Sequence, residues 1–600
     1  MNKIEKYKMK NTKFNLLPLP RKMQYGHKAN IKSYDFEHVE ATINSDIIPH
    51  SEGYILEVKV SGIKISAHDT AGLFYARQTL QQLRQQSEGC LTDEIYIEDW
   101  PDYRHRGVML DISRDKVPSM ETLFHLVDLF ASWKLNQLQL YMEHTFAYKN
   151  HRDVWQDASP LTAQEIQVLD KYCKERFIDL VPFQNSFGHM HRWLKHDRYR
   201  DLAECPKGWP MFWSMSQDEP FSICPTDERS FELLSELYDE FLPNFSSKYF
   251  MVGCDETFDV GEGRSKEYCE QIGGKGQLYI EFLNKIHSLV KQHGKTMMYN
   301  GDIIINYPEL LDSLPKDAIV LHWGYGIEFP FDTHCGMFAK AGIPFFVLPS
   351  NSAYSSVAGR TQRAMGNIRN AAFNGLKHGA LGLLNTEWGD CGHWHPLSVS
   401  YLGYAYGAAM SWYPEGNENI DIVEALDSFA FKDTEQSFGK AAYDLGRSYL
   451  KTMGKDHSSN LYMIIRWAMR SREEPPFNEL SVKPLEETIE YIDNAIAAIK
   501  NSKDNLFASE LLYAANTIRF ASKTAIAFLK SDAEYISDID CATKAELSGE
   551  LKAIMEEHKR IWRLRNREGG LKDSLWWYSP MEKQLNNNSK ANKSTRLEWA

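Results

Sequence analysis

The sequence predicts an α/β protein: a (β/α)8 barrel, preceded by a small α/β domain and followed by a mainly helical C-terminal region. Three observations carry this. From about residue 104 to 410, short apolar runs alternate with amphipathic helical stretches eight times over, the pattern of a parallel sheet wrapped by helices. Ahead of that stretch the chain carries a hairpin signal and a single helix. Beyond about 415 strand signals fade and long helical periodicities take over. The domains are therefore 1–100, 101–414 and 415–600, within the two to four that 600 residues suggest.

In the first domain Tyr54, Leu56, Val58 and Val60 alternate, Ser61-Gly62 turns the chain, and Ile63 and Ile65 resume the alternation. Leu73, Ala76, Leu80 and Leu83 then mark one face of a helix, and Ile95–Ile97 a further strand before Asp99-Trp100-Pro101. The eight barrel strands are read at Gly107–Asp111, Gln137–Tyr141, Asp179–Phe183, Tyr249–Cys254, Thr296–Asn300, Ala318–Trp323, Pro344–Pro349 and Ala380–Asn385. Between them, Thr162 and Glu165 form a capping box, and Phe231, Leu234, Tyr238 and Phe241 line a helix face. A doubly wound sheet is the alternative, but no G-x-G-x-x-G follows the first strand. In the last third, helices are expected over 438–451, 485–500, 506–529 and 545–564, the last stopped at Gly569-Gly570. Low complexity is confined to Asn586-Asn587-Asn588.

With 68 basic against 81 acidic residues and no Lys/Arg stripe, nucleic acid is not an expected partner. Nine cysteines are dispersed without C-x-x-C spacing, which suits free thiols in a reducing compartment. The N-terminus is basic, but no apolar run of signal length follows it, and no stretch approaches 18 apolar residues. A cytoplasmic location with no membrane span is the expectation. Aromatics make up 12% of the chain, with 15 Trp, which suits a protein that stacks on sugar rings.

The chemistry centres on Tyr249–Thr257, Y-F-M-V-G-C-D-E-T. An apolar run stopped by Gly253 presents two adjacent acids, Asp255 and Glu256, at the carboxyl end of a strand, where a barrel keeps its active site. Such a pair is costly to bury unless it is paired, hydrogen-bonded or used.

Ala71-Gly72-Leu73-Phe74-Tyr75-Ala76, then Arg106-Gly107-Val108-Met109-Leu110-Asp111 with Ser113-Arg114, then Gly253-Cys254-Asp255-Glu256 resemble the family 20 glycoside hydrolases, the β-N-acetylhexosaminidases. The likeness runs in order over roughly residues 50 to 410. Gln184 through Met190, and Gly253 through Gly263, look more like the branch containing hexosaminidase D, associated with galactosaminide as well as glucosaminide substrates. The resemblance implies exo-acting, retaining hydrolysis of terminal β-linked GalNAc or GlcNAc. The substrate's own 2-acetamido oxygen is the nucleophile and an oxazolinium ion the intermediate, an exception to the two-carboxylate rule. It implies a glycan or glycoconjugate as partner and no cofactor, and it leaves a homodimer open.

By that resemblance Glu256 is the general acid and then the base. Asp255 holds the acetamide N–H, and His189, oriented by Glu143, contacts the acid. Arg106 grips sugar hydroxyls, Trp323 walls the pocket, Tyr354 donates to the acetamide carbonyl, and Glu387 reads distal hydroxyls with Trp388, Asp390 and Trp394. Asn300 and Asp302 join the substrate set at a place where many members carry a tryptophan followed by acids. A tryptophan is also usual where Asn385 stands, an acid where Ser356 stands, and an acidic pair is frequent near Gln184-Asn185. His189 with His191, His393 with His395, and nearby His144 show no metal-binding spacing, and no metal is expected. Two other classes stay open: a non-hydrolytic carbohydrate-binding protein on the same barrel, and an enzyme in which Glu387 faces Glu256 as a protein nucleophile.

Overall fold

The computed structural model describes residues 13–32, 38–87, 90–210, 219–452, 458–500 and 505–586. Nearly all of the basic N-terminal stretch, and Asn587-Asn588 of the asparagine run, lie outside them.

The first domain is one sheet covered by one helix. Its elements are β1 (Lys22–Lys32), β2 (Val39–Ile43), β3 (Tyr54–Lys59), β4 (Gly62–Ala67), α1 (Thr70–Gln86) and β5 (Cys90–Asp99), in the spatial order β1-β5-β3-β4-β2. The hairpin forms, but its two-residue turn is Val60-Ser61, one residue earlier than the expected Ser61-Gly62, with Lys59 opposite Gly62. Helix α1 starts at Asp69, whose side chain accepts from the Gly72 N–H at 2.7 Å, and it buries Tyr75, Ala76, Leu80 and Leu83 against the sheet. Strands β1 and β2 were not legible, because most of their side chains face solvent and no alternation results.

The barrel follows as β6 (His105–Asp111), α2 (Met120–Ser132), β7 (Gln137–Tyr141), α3 (Ala163–Lys174), β8 (Asp179–Val181), α4 (Glu228–Phe241), β9 (Tyr249–Met251), α5 (Lys275–Gln292), β10 (Thr296–Asn300), β11 (Ile319–Trp323), α6 (Phe331–Lys340), β12 (Phe345–Leu348), α7 (Thr361–Lys377), β13 (Gly382–Glu387) and α8 (Leu397–Trp412). All neighbouring strands are parallel. The ring closes between β8 and β9 through a bridge of Phe183 with Met251. Met109, Tyr141, Val181, Met251, Met298, Leu321, Phe346 and Leu384 fill its interior, so the barrel is packed and its chemistry must sit at the mouth.

Several strand ends differ from the sequence reading. Strand β6 starts two residues earlier, at His105, and β9 stops at Met251, three residues short of the expected Cys254. Strands β11 and β12 differ by a single residue at their ends. Pro182 has no N–H to give a ladder, so β8 stops at Val181, short of the expected Phe183. The last strand runs Gly382–Glu387, two residues later than Ala380–Asn385.

The C-terminal region is helical: α9 (Phe438–Leu445), α10 (Asn460–Arg466), α11 (Val482–Lys500), α12 (Leu506–Lys530) and α13 (Cys541–Arg565) are its main elements. It packs on the barrel around the first strand's loop. Arg567 pairs with Glu165 at 2.6 Å. Gly570 (φ +79°) lies so close to Asp115 that a Cβ would come within 1.7 Å of the Asp115 carbonyl. Among the described residues no helix is long and apolar enough to cross a membrane.

Candidate active site

The mouth is set by how β9 ends. Gly253 and Cys254 both take positive φ, +70° and +69°, and Glu256 does so again at +54°. A side chain at Gly253 is excluded, since its Cβ would stand 1.8 Å from Asn185 Oδ1. This left-handed turn, costly for non-glycine residues, places Asp255 and Glu256 against the same imidazole. His189 Nε2 lies 3.1 Å from Glu256 Oε2 and 3.4 Å from Asp255 Oδ2. His189 is itself held at φ +57°. Asp255 is buried, whereas the Glu256 side chain keeps 23% of its exposure.

Behind His189 stands Glu143. Its Oε1 is 3.8 Å from His189 Nδ1, an ion-pair distance outside hydrogen-bond range, and it accepts from the Tyr141 hydroxyl at 2.8 Å. Asn185 Nδ2 donates to the same hydroxyl at 2.6 Å. Arg114 completes this side: its Nη2 is 3.3 Å from His189 Nδ1, its Nε 3.4 Å from Glu143, and its guanidinium lies over the rings of Tyr141 (4.4 Å) and Trp388 (5.0 Å). Asp111 Oδ1 receives the Ser113 and Arg114 N–H groups, and its Oδ2 receives that of Gly389. The loops after the first and eighth strands are thereby joined.

On the other flank Asp302 Oδ2 accepts the Glu256 backbone N–H at 2.9 Å, and the Asn300 side chain hydrogen-bonds Asp255. The electrostatics follow from these contacts. Burial opposes a charged His189, but the Asp255 charge and hydrogen bonds to Asp255 and Glu256 outweigh it and push it up to about 10. Burial likewise opposes an ionised Asp255, and the His189 charge and hydrogen bond, with Asn300, overcome it and lower Asp255. Asp302 goes the other way: burial, then the Asp255 charge, raise it well above the carboxylate range. Burial and charge thus push the neighbouring carboxyls of Asp255 and Asp302 in opposite directions.

Aromatic side chains make the wall. Trp323 stacks on Tyr325 at 5.2 Å, Trp388 Nε1 donates to the Tyr325 hydroxyl at 2.7 Å, and Tyr354 lies 5.7 Å from Tyr325. Asn385, where a tryptophan was anticipated, turns outward and donates to the Gly403 carbonyl. Trp388, three residues on, supplies the inward indole and packs edge-on against Tyr141 at 4.8 Å. Asp390 is partly buried at the same mouth, its carboxyl raised by desolvation against the opposing charge of Arg114.

The structure therefore brings together Asp255, Glu256, His189, Glu143, Asn300, Asp302, Trp323, Tyr354, Trp388 and Asp390. It corrects three expectations. Arg106 is the second residue of β6, at the amino end of the barrel, fully buried. It pairs there with Glu52 at 2.7 Å and donates to the Tyr103 and Lys134 carbonyls. It braces the first domain and cannot reach a sugar at the opposite face. Glu387 points outward from β13, bonded by His395 Nε2 at 2.6 Å, with His393 Nε2 at 3.3 Å. Trp394 is 1% exposed, stacked on Tyr578 at 4.2 Å and bonded to the Ser574 carbonyl, so it is a joint between barrel and C-terminal helices.

Arg114, Tyr141 and Tyr325 were missed. For Arg114 the signal was present: it follows the carboxyl end of the first strand, where barrel chemistry sits, whereas Arg106 opens that strand.

Residues 103–379 match the sequence model of glycosyl hydrolase family 20, catalytic domain, and residues 13–100 match that family's domain 2. The chain is 25% identical over 305 residues to a beta-hexosaminidase of Porphyromonas gingivalis, covering 45% of this chain and 38% of the relative. It is 26% identical over 289 residues to a lacto-N-biosidase of Bifidobacterium bifidum (46% and 24%), and 24% identical over 307 to a beta-hexosaminidase of Emericella nidulans (46% and 50%). The match thus spans no more than half the length of these three curated relatives. Among solved structures, the Flavobacterium johnsoniae chitobiase shares the fold with a TM-score of 0.59 at 17% identity, covering 96% of this chain and 99% of that one. A family 20 exo-β-N-acetylglucosaminidase from Vibrio harveyi superposes with a TM-score of 0.56 at 16% identity, covering 70% and 78%.

Proposed function

The chain belongs to glycosyl hydrolase family 20, and from that premise we propose that it is an exo-acting β-N-acetylhexosaminidase. It removes terminal β-linked GlcNAc or GalNAc with retention, through an oxazolinium intermediate. The observation that carries this reading is that Asp255 and Glu256 sit side by side on one imidazole. Neighbouring carboxylates on one flank suit an internal nucleophile, because neither needs to reach the far face of the sugar. Glu387, the residue that a protein-nucleophile mechanism would place opposite Glu256, is directed away from the mouth, which counts against that alternative.

In this mechanism Glu256 protonates the departing oxygen while the substrate's acetamide oxygen attacks the anomeric carbon. An internal nucleophile already in place carries an effective molarity on the order of 10⁵ M in good cases. Asp255, ionised, accepts the acetamide N–H and stabilises the positive charge as the oxazolinium forms. Glu256, now a carboxylate, takes a proton from the water that opens the ring. His189 Nε2 faces both acids and holds them on one flank, and Arg114 Nη2 meets the other ring nitrogen. Trp323, Tyr325 and Trp388 offer apolar faces for the pyranose, and Arg114 and Asp390 stand where sugar hydroxyls can be read. The nine cysteines are free thiols, which supports a reducing, cytoplasmic setting as part of the proposal.

Aryl β-GlcNAc and aryl β-GalNAc tested beside aryl β-glucoside would decide the matter. The proposal requires cleavage of at least one acetamido sugar and none of the glucoside. A folded protein that binds these sugars and cleaves neither would be the non-hydrolytic carbohydrate-binding protein.

A further inference from the structure

We infer that Glu387, His393 and His395 form a site for one divalent transition-metal ion, zinc by ligand type, buried between the barrel and the C-terminal helices. The site is separate from the catalytic pair and does not depend on the proposed activity. The histidines alone showed no metal spacing. The third ligand becomes visible only because β13 runs on to Glu387 and turns that side chain outward.

Several observations point to a cation. One ligand atom from each of the three lies within 4.8 Å of the others, and all three residues are buried. The His393 tautomer is constrained: Nδ1 faces the Arg114 carbonyl at 3.1 Å, so Nδ1 must carry hydrogen. In the neutral ring the Nε2 lone pair then points at a carboxylate oxygen 3.3 Å away. Two acceptors facing each other in a dry interior are unfavourable, and either a proton on Nε2 or a metal cation between them resolves the conflict. A ring nitrogen held by a backbone carbonyl on its far side is also the usual support of a metal-bound histidine.

The carboxylate is unevenly used. Oε1 has His395 Nε2, His393 Nε2 and Ser400 Oγ all within 3.5 Å, while Oε2 is buried with no hydrogen-bond partner. Beside it lies a cavity of about 40 Å³ lined by Glu387, His393, His395, Lys116 and His558, room enough for an ion and a water. The charges around that cavity are otherwise engaged. Lys116 Nζ donates to the His395 carbonyl at 2.8 Å, and Glu510 pairs with Arg565 at 3.0 Å.

Two imidazoles and one carboxylate with an open position are a zinc-type set. Ligands around a tetrahedral ion stand roughly 3.3 Å apart given bonds near 2.0–2.1 Å. The His393 contact has that spacing already, and the His395 contact must open from 2.6 Å. A bound ion would clamp the loop after the eighth strand, whose His393 holds the Arg114 backbone.

The test is titration of chelator-dialysed full-length protein with Co²⁺, read by its visible d–d absorption, and with Zn²⁺, read by metal content and melting temperature. The inference requires one ion per chain and a raised melting temperature. Uptake should be lost in Glu387→Gln and His395→Ala, each checked for fold by circular dichroism, and kept in His189→Ala. Glu387→Gln preserves shape, so it decides the matter if His395→Ala fails to fold. No uptake by the folded chain overturns the inference. So does uptake that survives Glu387→Gln or folded His395→Ala, or that His189→Ala abolishes, since the last places the ion at the catalytic pair.

Discussion

Nε2 of His189 stands 3.1 Å from Oε2 of Glu256, the more exposed of the two neighbouring acids. The same nitrogen is 3.4 Å from Asp255, so one imidazole faces both acids, and removing either acid tests a different step.

Replacing Glu256 by Gln removes the proton donor and leaves the shape. The rate on aryl substrates with poor leaving groups should fall about 10²–10⁴-fold, the usual worth of a general acid. Activated leaving groups should lose less. Asp255→Asn removes the charge facing the oxazolinium and should cost about 10²–10³-fold in kcat whatever the leaving group. Steady-state kinetics across a leaving-group series separates the two.

Arg106 and Arg114 should behave in opposite ways. Arg106→Met leaves the Glu52 carboxylate without its cation at the base of the barrel. Breaking a buried pair costs about 3–5 kcal/mol, and because the Glu52 side chain keeps 19% exposure the lower end is expected. The melting temperature should drop while KM of the folded enzyme stays unchanged. Arg114→Lys should raise KM and lower kcat/KM at least about tenfold, since a point charge cannot reproduce the planar stack on Tyr141 and Trp388. Thermal melts and kinetics on the two variants check this directly.

His189 gives a pH dependence with a definite sign. Its folded value is pushed up to about 10, above roughly 6.5 for an unfolded histidine. The stabilisation is therefore complete below about 6.5 and is lost as pH rises through 10. Asp255 is lowered, so its contribution holds above its ordinary carboxylate value and fades as pH falls. The stability difference between the wild type and His189→Gln should be largest between about pH 4 and 6.5 and shrink toward pH 10. Denaturant unfolding across that range measures it. A difference that grows above pH 8 would contradict the assignment.

Much of this was legible in the sequence, for reasons that particular residues make plain. The eight barrel strands could be read because both faces of each are covered, which leaves near-continuous apolar runs such as Tyr249–Val252. Strand β1 could not, because Lys22–Lys32 is an exposed edge with no periodic signal. At the site, Asp255 and Glu256 stood out because two acids follow Gly253 at a strand end. The eighth strand was harder. Its inward and outward positions depend on phase, and the Asn385-Thr386-Glu387-Trp388 stretch carries polar and aromatic residues on both faces. Thr386 bonds the Pro349 carbonyl, Trp388 faces the mouth, and Asn385 and Glu387 face the helices. Sequence alone does not set that phase, so Glu387 was grouped with Trp388 and Asp390 although its side chain points outward to His395.

The most direct test of the central claim is inhibition of aryl β-N-acetylhexosaminide hydrolysis by a thiazoline analogue of the oxazoline. Substrate-assisted catalysis predicts competitive inhibition with Ki at least about 100-fold below KM, as for a mimic of an intermediate near the transition state, and loss of that affinity in Asp255→Asn. Hydrolysis that proceeds without inhibition, at thiazoline concentrations well above KM, would contradict it and point to a nucleophile supplied by the protein.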